Sequence, residues 1–317
     1  MFTSYWRNYP WALQVALFML MVFIMTSLST VIILWLVPVI TGVPFEQMAG
    51  LHEGSARKII DAALLGQFLS SIVMFLVPSG LFAYLAHPRP AEYLGLRSPG
   101  KKIQLLIIII IMAGFTPLIL GFEGLMRTID LGANIRASQK AHDEIFNAYL
   151  SMPSIKYLLI GVIVMGITPA VAEELVFRGV VMRFAHKRSK NIKTSIFASA
   201  LLFAVIHFDA YGFFPIFVSG VFLGTVYYLT GSLWCSMLAH ALHNSMQVCL
   251  LYAANNNAAL KTFVGGNSVP LYILAPAVVL FAGGLYLLWK NKTPLPAGWS
   301  SDFNDPKPIQ LNTFSEN

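Results

Sequence analysis

Charge is scarce in this chain. Of 317 residues only 14 are acidic and 21 basic, 11% in all, whereas 57% are hydrophobic. A soluble domain carries roughly 25% charged residues, so the composition excludes an ordinary water-soluble fold and implies an integral membrane protein. Cysteine is also sparse. Cys235 and Cys249 both fall in apolar helical stretches, which implies neither a disulfide framework nor a thiolate-rich metal site. There is no Walker loop, dinucleotide fingerprint or redox Cys-x-x-Cys. The net charge of +7 comes from basic residues clustered in short connections beside apolar runs. Membrane topology explains that placement, and no nucleic-acid partner is expected.

The apolar runs set the fold class: all-α, a polytopic integral membrane protein with about eight transmembrane helices. The expected spans cover residues 11–37, 62–86, 103–121, 156–184, 194–208, 213–229, 232–254 and 270–289. Most are near the roughly 20 residues that cross a bilayer. The first is longer than a signal-peptide core and is read as a retained anchor. Polar residues 122–154 form the longest interval, with an interfacial helix expected over 137–150. Residues 1–154 then make an amino-terminal membrane region, 155–254 a core, and 255–317 a last span and polar tail. An Asn-rich loop at 255–257 and Gly265-Gly266 separate the last two spans. Eight spans with the amino terminus inside place Arg89, Arg97, Lys101 and Lys102, the 183–193 connection and Lys290 on the cytoplasmic side. Both termini are therefore expected in the cytoplasm. Trp6, Trp11, Trp35, Trp234 and Trp289 fall near span boundaries, as interfacial anchors do.

Against this background Pro169-Ala-Val-Ala-Glu-Glu-Leu-Val-Phe-Arg-Gly179 stands out, because it puts Glu173 and Glu174 in an apolar run. Ionisable groups there are costly and mark function. Glu174 and Arg178 are four apart, acid first, the favourable order for a helical pair. Glu173 points about 100° away on a 3.6-residue turn, free to meet another helix. Pro169 is expected to kink the span close to both acids.

Other polar residues lie on separate helices. Phe203 and His207 are four apart on the expected fifth span. His240 and Asn244 are four apart on the seventh, with His243 nearby. Each set has a plain structural explanation: a stapling ion pair for Glu174 and Arg178, a core histidine for His207, interhelical hydrogen bonding for His240 and Asn244. His243 is read as structural, Phe203 as shaping a pocket, and Gly220 with Gly224 as a close-packing face. An inert chain requires all of these explanations together. The sequence lacks His-Glu-x-x-His, a Gly-x-Ser-Gly setting around Ser232, and Gly-x-Gly-Asp. Glutamate, histidine and an amide remain, without an obvious covalent nucleophile.

These residues resemble the motifs of the CPBP (CAAX protease and bacteriocin-processing, Abi) family, which includes the type II CAAX prenyl endopeptidases. Glu173, Glu174 and Arg178 match Glu-Glu-x-x-x-Arg. Phe203 and His207 match Phe-x-x-x-His, and His240 and Asn244 match His-x-x-x-Asn. The lead-in Tyr227-Tyr-Leu-Thr-Gly-Ser-Leu-Trp234 is also similar, although Cys235 stands where a proline or aliphatic residue is expected. The resemblance spans about residues 155–250. It implies a glutamate-type intramembrane endopeptidase, with Glu173 and His207 activating water, and His240 and Asn244 stabilising the oxyanion. It also implies a cavity open to the cytoplasm, a bacterial cell (inner) membrane location with membrane lipids around it, and a peptide or protein substrate, with membrane-associated or lipidated substrates among the options it leaves open. No cofactor is expected. Two alternatives stay open at this point: a zinc hydrolase with Glu173, His207 and His240 as ligands, and a non-proteolytic transporter or scaffold.

Overall fold

The computed structural model describes residues 5–255, 257, 260, 269–296 and 298–300. Among these the chain is helical, without strands. Nine principal helices are α1 (Trp11–Thr41), α2 (Arg57–Ala86), α3 (Ile103–Arg127), α4 (Ala133–Tyr149), α5 (Ile155–Ser189), α6 (Ile192–Val205), α7 (Phe213–Thr230), α8 (Leu233–Asn255) and α9 (Leu271–Lys290). Six of them, α1, α2, α3, α5, α7 and α9, are long and apolar enough to cross a membrane. The other two expected spans are helical but differ in kind. Helix α6 has only 14 residues, short of the roughly 20 a crossing requires, and α8 is long but carries Ser236, His240, His243, Asn244 and Gln247. Gly265-Gly266 and the tail beyond residue 300 lie outside the described residues.

Local sequence explains several helix irregularities. Residues Ile32–Leu36, Ile72–Leu76 and Val162–Ile167 form π-helical turns, and Pro38, Pro78 and Pro169 follow two residues after each. Proline has no N–H to donate and its ring crowds the carbonyl four residues back. Opening the preceding turn accommodates both defects, so α1 runs on to Thr41 past Pro38. A fourth π stretch, Leu175–Val181, contains no proline and carries Arg178. The polar residues Arg57, Lys58 and Asp61 belong to the first turns of α2, and α4 starts four residues before the expected 137. Helix α3 continues beyond residue 121 to Arg127.

Packing follows small residues. A methyl at Gly114 of α3 would meet Phe281 N at 2.7 Å, so α3 and α9 touch through backbone. On α7, a methyl at Gly220 would lie 2.9 Å from Ala200 Cβ and 3.0 Å from its Cα, and one at Gly224 3.1 Å from Ile196 Cγ2. This is the close approach that the four-residue spacing implies. Phe18, Phe82 and Phe184 interlock edge to face with centroids 5.3–6.0 Å apart, tying α1, α2 and α5 together. The outer faces of α1 and α9 remain apolar and uncovered, with Phe23, Trp35, Val39, Tyr272 and Val279 at least 70% exposed. Lipid is the solvent such a surface suits.

After α9 the chain folds back across one end of the bundle. Thr293 N donates to Leu229 O at 2.8 Å, and Trp299 Nε1 donates to Tyr227 Oη at 2.9 Å. Buried Arg183 donates to the carbonyls of Tyr93 and Trp299. Residues 291–296 and 298–300 thus pack against the end of α7 and, through Arg183, join the end of α5 to the loop that carries Tyr93.

Candidate active site

Glu174 is 0% exposed and Arg178 1% exposed, with Nη1 2.5 Å from Oε1. Burial without partners would be costly for either charge. Arg178 therefore spends its second nitrogen on Gly220 O at 2.9 Å, and its guanidinium lies 4.9 Å from the Phe203 ring centroid. Ser236 Oγ lies 2.6 Å from Glu174 Oε2, and His240 Nδ1 lies 3.1 Å from Oε1. Glu174 is thus held by three helices' worth of partners, from α5, α8 and, through Arg178, α7.

Glu173 lies outside this web. Its side chain is 14% exposed, and its Oε2 stands 3.8 Å from His240 Nε2. That gap exceeds a hydrogen bond. An ionised Glu174 fixes the His240 proton on Nδ1, leaving Nε2 toward Glu173.

Phe203 sits on α6, but His207 falls just beyond the helix, in a turn closed by Phe208 with φ 50°. His207 Nδ1 is 2.6 Å from Phe203 O. A carbonyl only accepts, so Nδ1 carries a proton, and in the neutral ring the lone pair is on Nε2. The Phe203 ring packs edge to face on both histidines, 4.7 Å from His207 and 5.8 Å from His240.

Glu173, Phe203, His207, His240 and Asn244 line one cavity of about 450 Å³. Its walls include Met112, Phe115, Met165, Ile216 and Leu223, and it also reaches Glu123, Arg127, Asp143 and Asp209. Arg127 makes a bidentate pair with Asp143 on α4, at 2.7 and 3.0 Å. Burial alone would raise the Asp143 carboxyl, but hydrogen bonds from Arg127 and Gln139 hold it below the usual carboxylate range. His243 lines the cavity as well, with Nε2 3.0 Å from Gln247 Nε2 and Nδ1 3.4 Å from Thr116 Oγ1. Both of its nitrogens have partners, in keeping with a structural role.

All seven motif residues meet at this site, which unites α5, α6 and α8. Sequence reasoning missed Ser236, although it lies four residues before His240 on the same helical face. It also missed Gly220 O and the Arg127–Asp143 pair. The alternative zinc set is not assembled: among the described residues no three His, Cys, Asp or Glu side chains gather closely enough to hold a metal ion.

Fold and site together define a helical membrane protein with a polar, acid- and histidine-bearing cavity among its helices. Residues 155–246 match the family described as Rce1-like, Type II CAAX prenyl endopeptidase Rce1-like. The chain is also 32% identical over 93 residues to the sporulation-killing factor biosynthesis protein SkfC of Bacillus subtilis (strain 168). That alignment covers 27% of this chain and 18% of the relative's length. No solved structure matches the chain significantly.

Proposed function

We infer that this chain is an intramembrane endopeptidase of the CAAX type, working by a glutamate-activated water. The observation that carries this reading is the asymmetry of the two acids: Glu174 is fully buried and tied down, while Glu173 faces the cavity 3.8 Å from His240 Nε2.

In the proposed reaction Glu173 takes a proton from water, with the free Nε2 of His207 as a second acceptor, and the hydroxide attacks a peptide carbonyl. Protonated His240 and the Asn244 amide donate to the developing oxyanion, the kind of fixed donor pair that lowers such barriers most. Glu173 then returns its proton to the leaving amine as the C–N bond breaks. Glu174, Arg178 and Ser236 act through His240 by holding its ring and tautomer. Phe203 sets the spacing between the two imidazoles.

The substrate is a peptide or protein segment, and membrane association or lipidation of it is compatible with a site among apolar helices. The test is hydrolysis of a peptide mixture by purified protein in detergent, run in ¹⁸O-water. An endopeptidase places the heavy oxygen in each new carboxyl group and keeps doing so in chelator. Intact peptides after prolonged incubation favour the transporter reading, and loss of cleavage in chelator favours the metal one.

A further inference from the structure

His207 reaches the cavity from a turn, and the turn is backbone that has to be held. Helix α6 ends at Val205 and α7 begins at Phe213. Between them Phe208 takes φ 50°, a left-handed conformation in which the Cβ of an L-residue crowds the following carbonyl oxygen. Its side chain is 91% exposed, so no burial offsets the strain. The backbone bonds leading into it are long for their kind: His207 N donates to Ala204 O and Phe208 N to Val205 O, both at 3.3 Å. Strained backbone persists only where its surroundings over-determine it, and it gathers at functional sites.

The surroundings here are Asp209 and Gly212. Gly212 N donates to Asp209 Oδ1 at 2.7 Å, a local side-chain bond that closes the turn. Gly212 O accepts from Ile216 N at 2.8 Å in the first turn of α7. Asp209 therefore ties the strained residue beside it to the start of a helix. The fit is close. Gly212 has φ −77° and ψ −16°, a conformation open to any residue, yet a methyl there would lie 2.5 Å from Asp209 Oδ2 and 2.7 Å from its Cγ. Glycine is required by the neighbouring carboxylate and not by the backbone.

We propose that Asp209 is a positioning residue for the reaction. By closing the turn on Gly212 it keeps the Phe208 backbone in place, and so holds the His207 ring where Nδ1 meets Phe203 O and Nε2 is left to accept a proton. What it supplies is an accepting oxygen; its charge is not required.

The kinetic part of the test rests on the endopeptidase reading, and a spectroscopic part does not. Both use the full chain purified in detergent, with peptide cleavage, thermal midpoints and ¹⁵N-histidine spectra in which His207→Gln identifies the His207 signals. Asp209→Ala removes the accepting oxygen. Its kcat should fall about tenfold or more, the scale on which small displacements of a reacting group act, with KM little changed, and the neutral His207 ring should lose its preference for a proton on Nδ1. Asp209→Asn keeps the oxygen and should recover most of the kcat and the parent's spectrum. Gly212→Ala should resemble Asp209→Ala, because the methyl is housed only when the carboxylate leaves Gly212 N. Both losses come from one contact, so the double variant Asp209→Ala, Gly212→Ala should be no slower than Asp209→Ala alone. Equal impairment by Asn and Ala at 209 shows action through charge and overturns the proposal. Additive losses in the double variant overturn it too, as does an Asp209→Ala protein with the parent's kcat and His207 spectrum. Where Asp209→Ala does not fold, the contrast between Asp209→Asn and Gly212→Ala gives the same decision. A parent that cleaves nothing counts against the endopeptidase, while the His207 spectra still decide the role of Asp209.

Discussion

Ser236 Oγ lies 2.6 Å from Glu174 Oε2, and this contact decides which of two adjacent acids is available. With Arg178 and His240 on its other oxygen and no exposed surface, Glu174 is closed to substrate and water. Glu173, one residue earlier, is left to the cavity.

Replacing Ser236 by Ala removes that donor and frees Glu174 to turn. A hydrogen bond to a charged group contributes about 1.5–3 kcal/mol. If about half of it is expressed at His240, kcat falls about 3- to 12-fold, at 1.4 kcal/mol per decade. KM should stay unchanged, because Ser236 does not line the cavity. Steady-state kinetics on a cleaved peptide distinguishes this from a rise in KM alone, which contradicts a positioning role.

Arg178→Ala strands a fully buried carboxylate. The expected cost is about 3–5 kcal/mol, seen as a large drop in unfolding midpoint in mixed micelles. Arg178→Lys keeps the charge but has no planar fork to reach both Glu174 and Gly220 O. It should recover part of the stability and little of the activity.

Gly220→Ala tests the contact between α6 and α7. The added methyl meets the Ala200 backbone at 3.0 Å, and overpacking of this kind costs about 1–3 kcal/mol. Because Gly220 O also receives Arg178, activity should fall along with thermal stability. An unchanged midpoint contradicts the observed packing.

The cavity mouth should respond to acid. The Asp143 carboxyl is depressed in the folded chain, so its contribution is present above the normal carboxylate pKa and is lost as pH falls through the lowered folded value. Arg127 and Asp143 side chains are 43% and 37% exposed, so solvent screens the pair and the effect is small. Hydrogen exchange across residues 133–149, corrected for intrinsic rates, should quicken only below the usual carboxylate range. Asp143→Asn should abolish the step.

Much of this was legible in the sequence. Apolar runs located the principal helices, and four-residue spacings located Glu174–Arg178, the Gly220–Gly224 face and the His240–Asn244 face. What escaped has physical reasons. The expected first span ends at residue 37, just before Pro38, whereas a π turn absorbs the proline and the helix continues to Thr41. His207 was placed inside a helix that ends at Val205, because apolar character continues through Ile206 and Phe208. The return of residues 291–296 and 298–300 and the Arg127–Asp143 pair depend on contacts between distant segments, which no local pattern encodes. Ser236 is different, since its four-residue spacing from His240 is visible in the sequence.

The most direct measurement is peptide cleavage by the Glu173→Gln protein. The amide keeps the shape of the side chain and leaves the Glu174–Arg178–Ser236 web intact, so the variant should fold and unfold like the parent. Loss of a general base costs typically 10²–10⁴-fold, and a fall in kcat of about that size is expected here. Cleavage by this variant at the parent rate would contradict the assignment of Glu173 as the base.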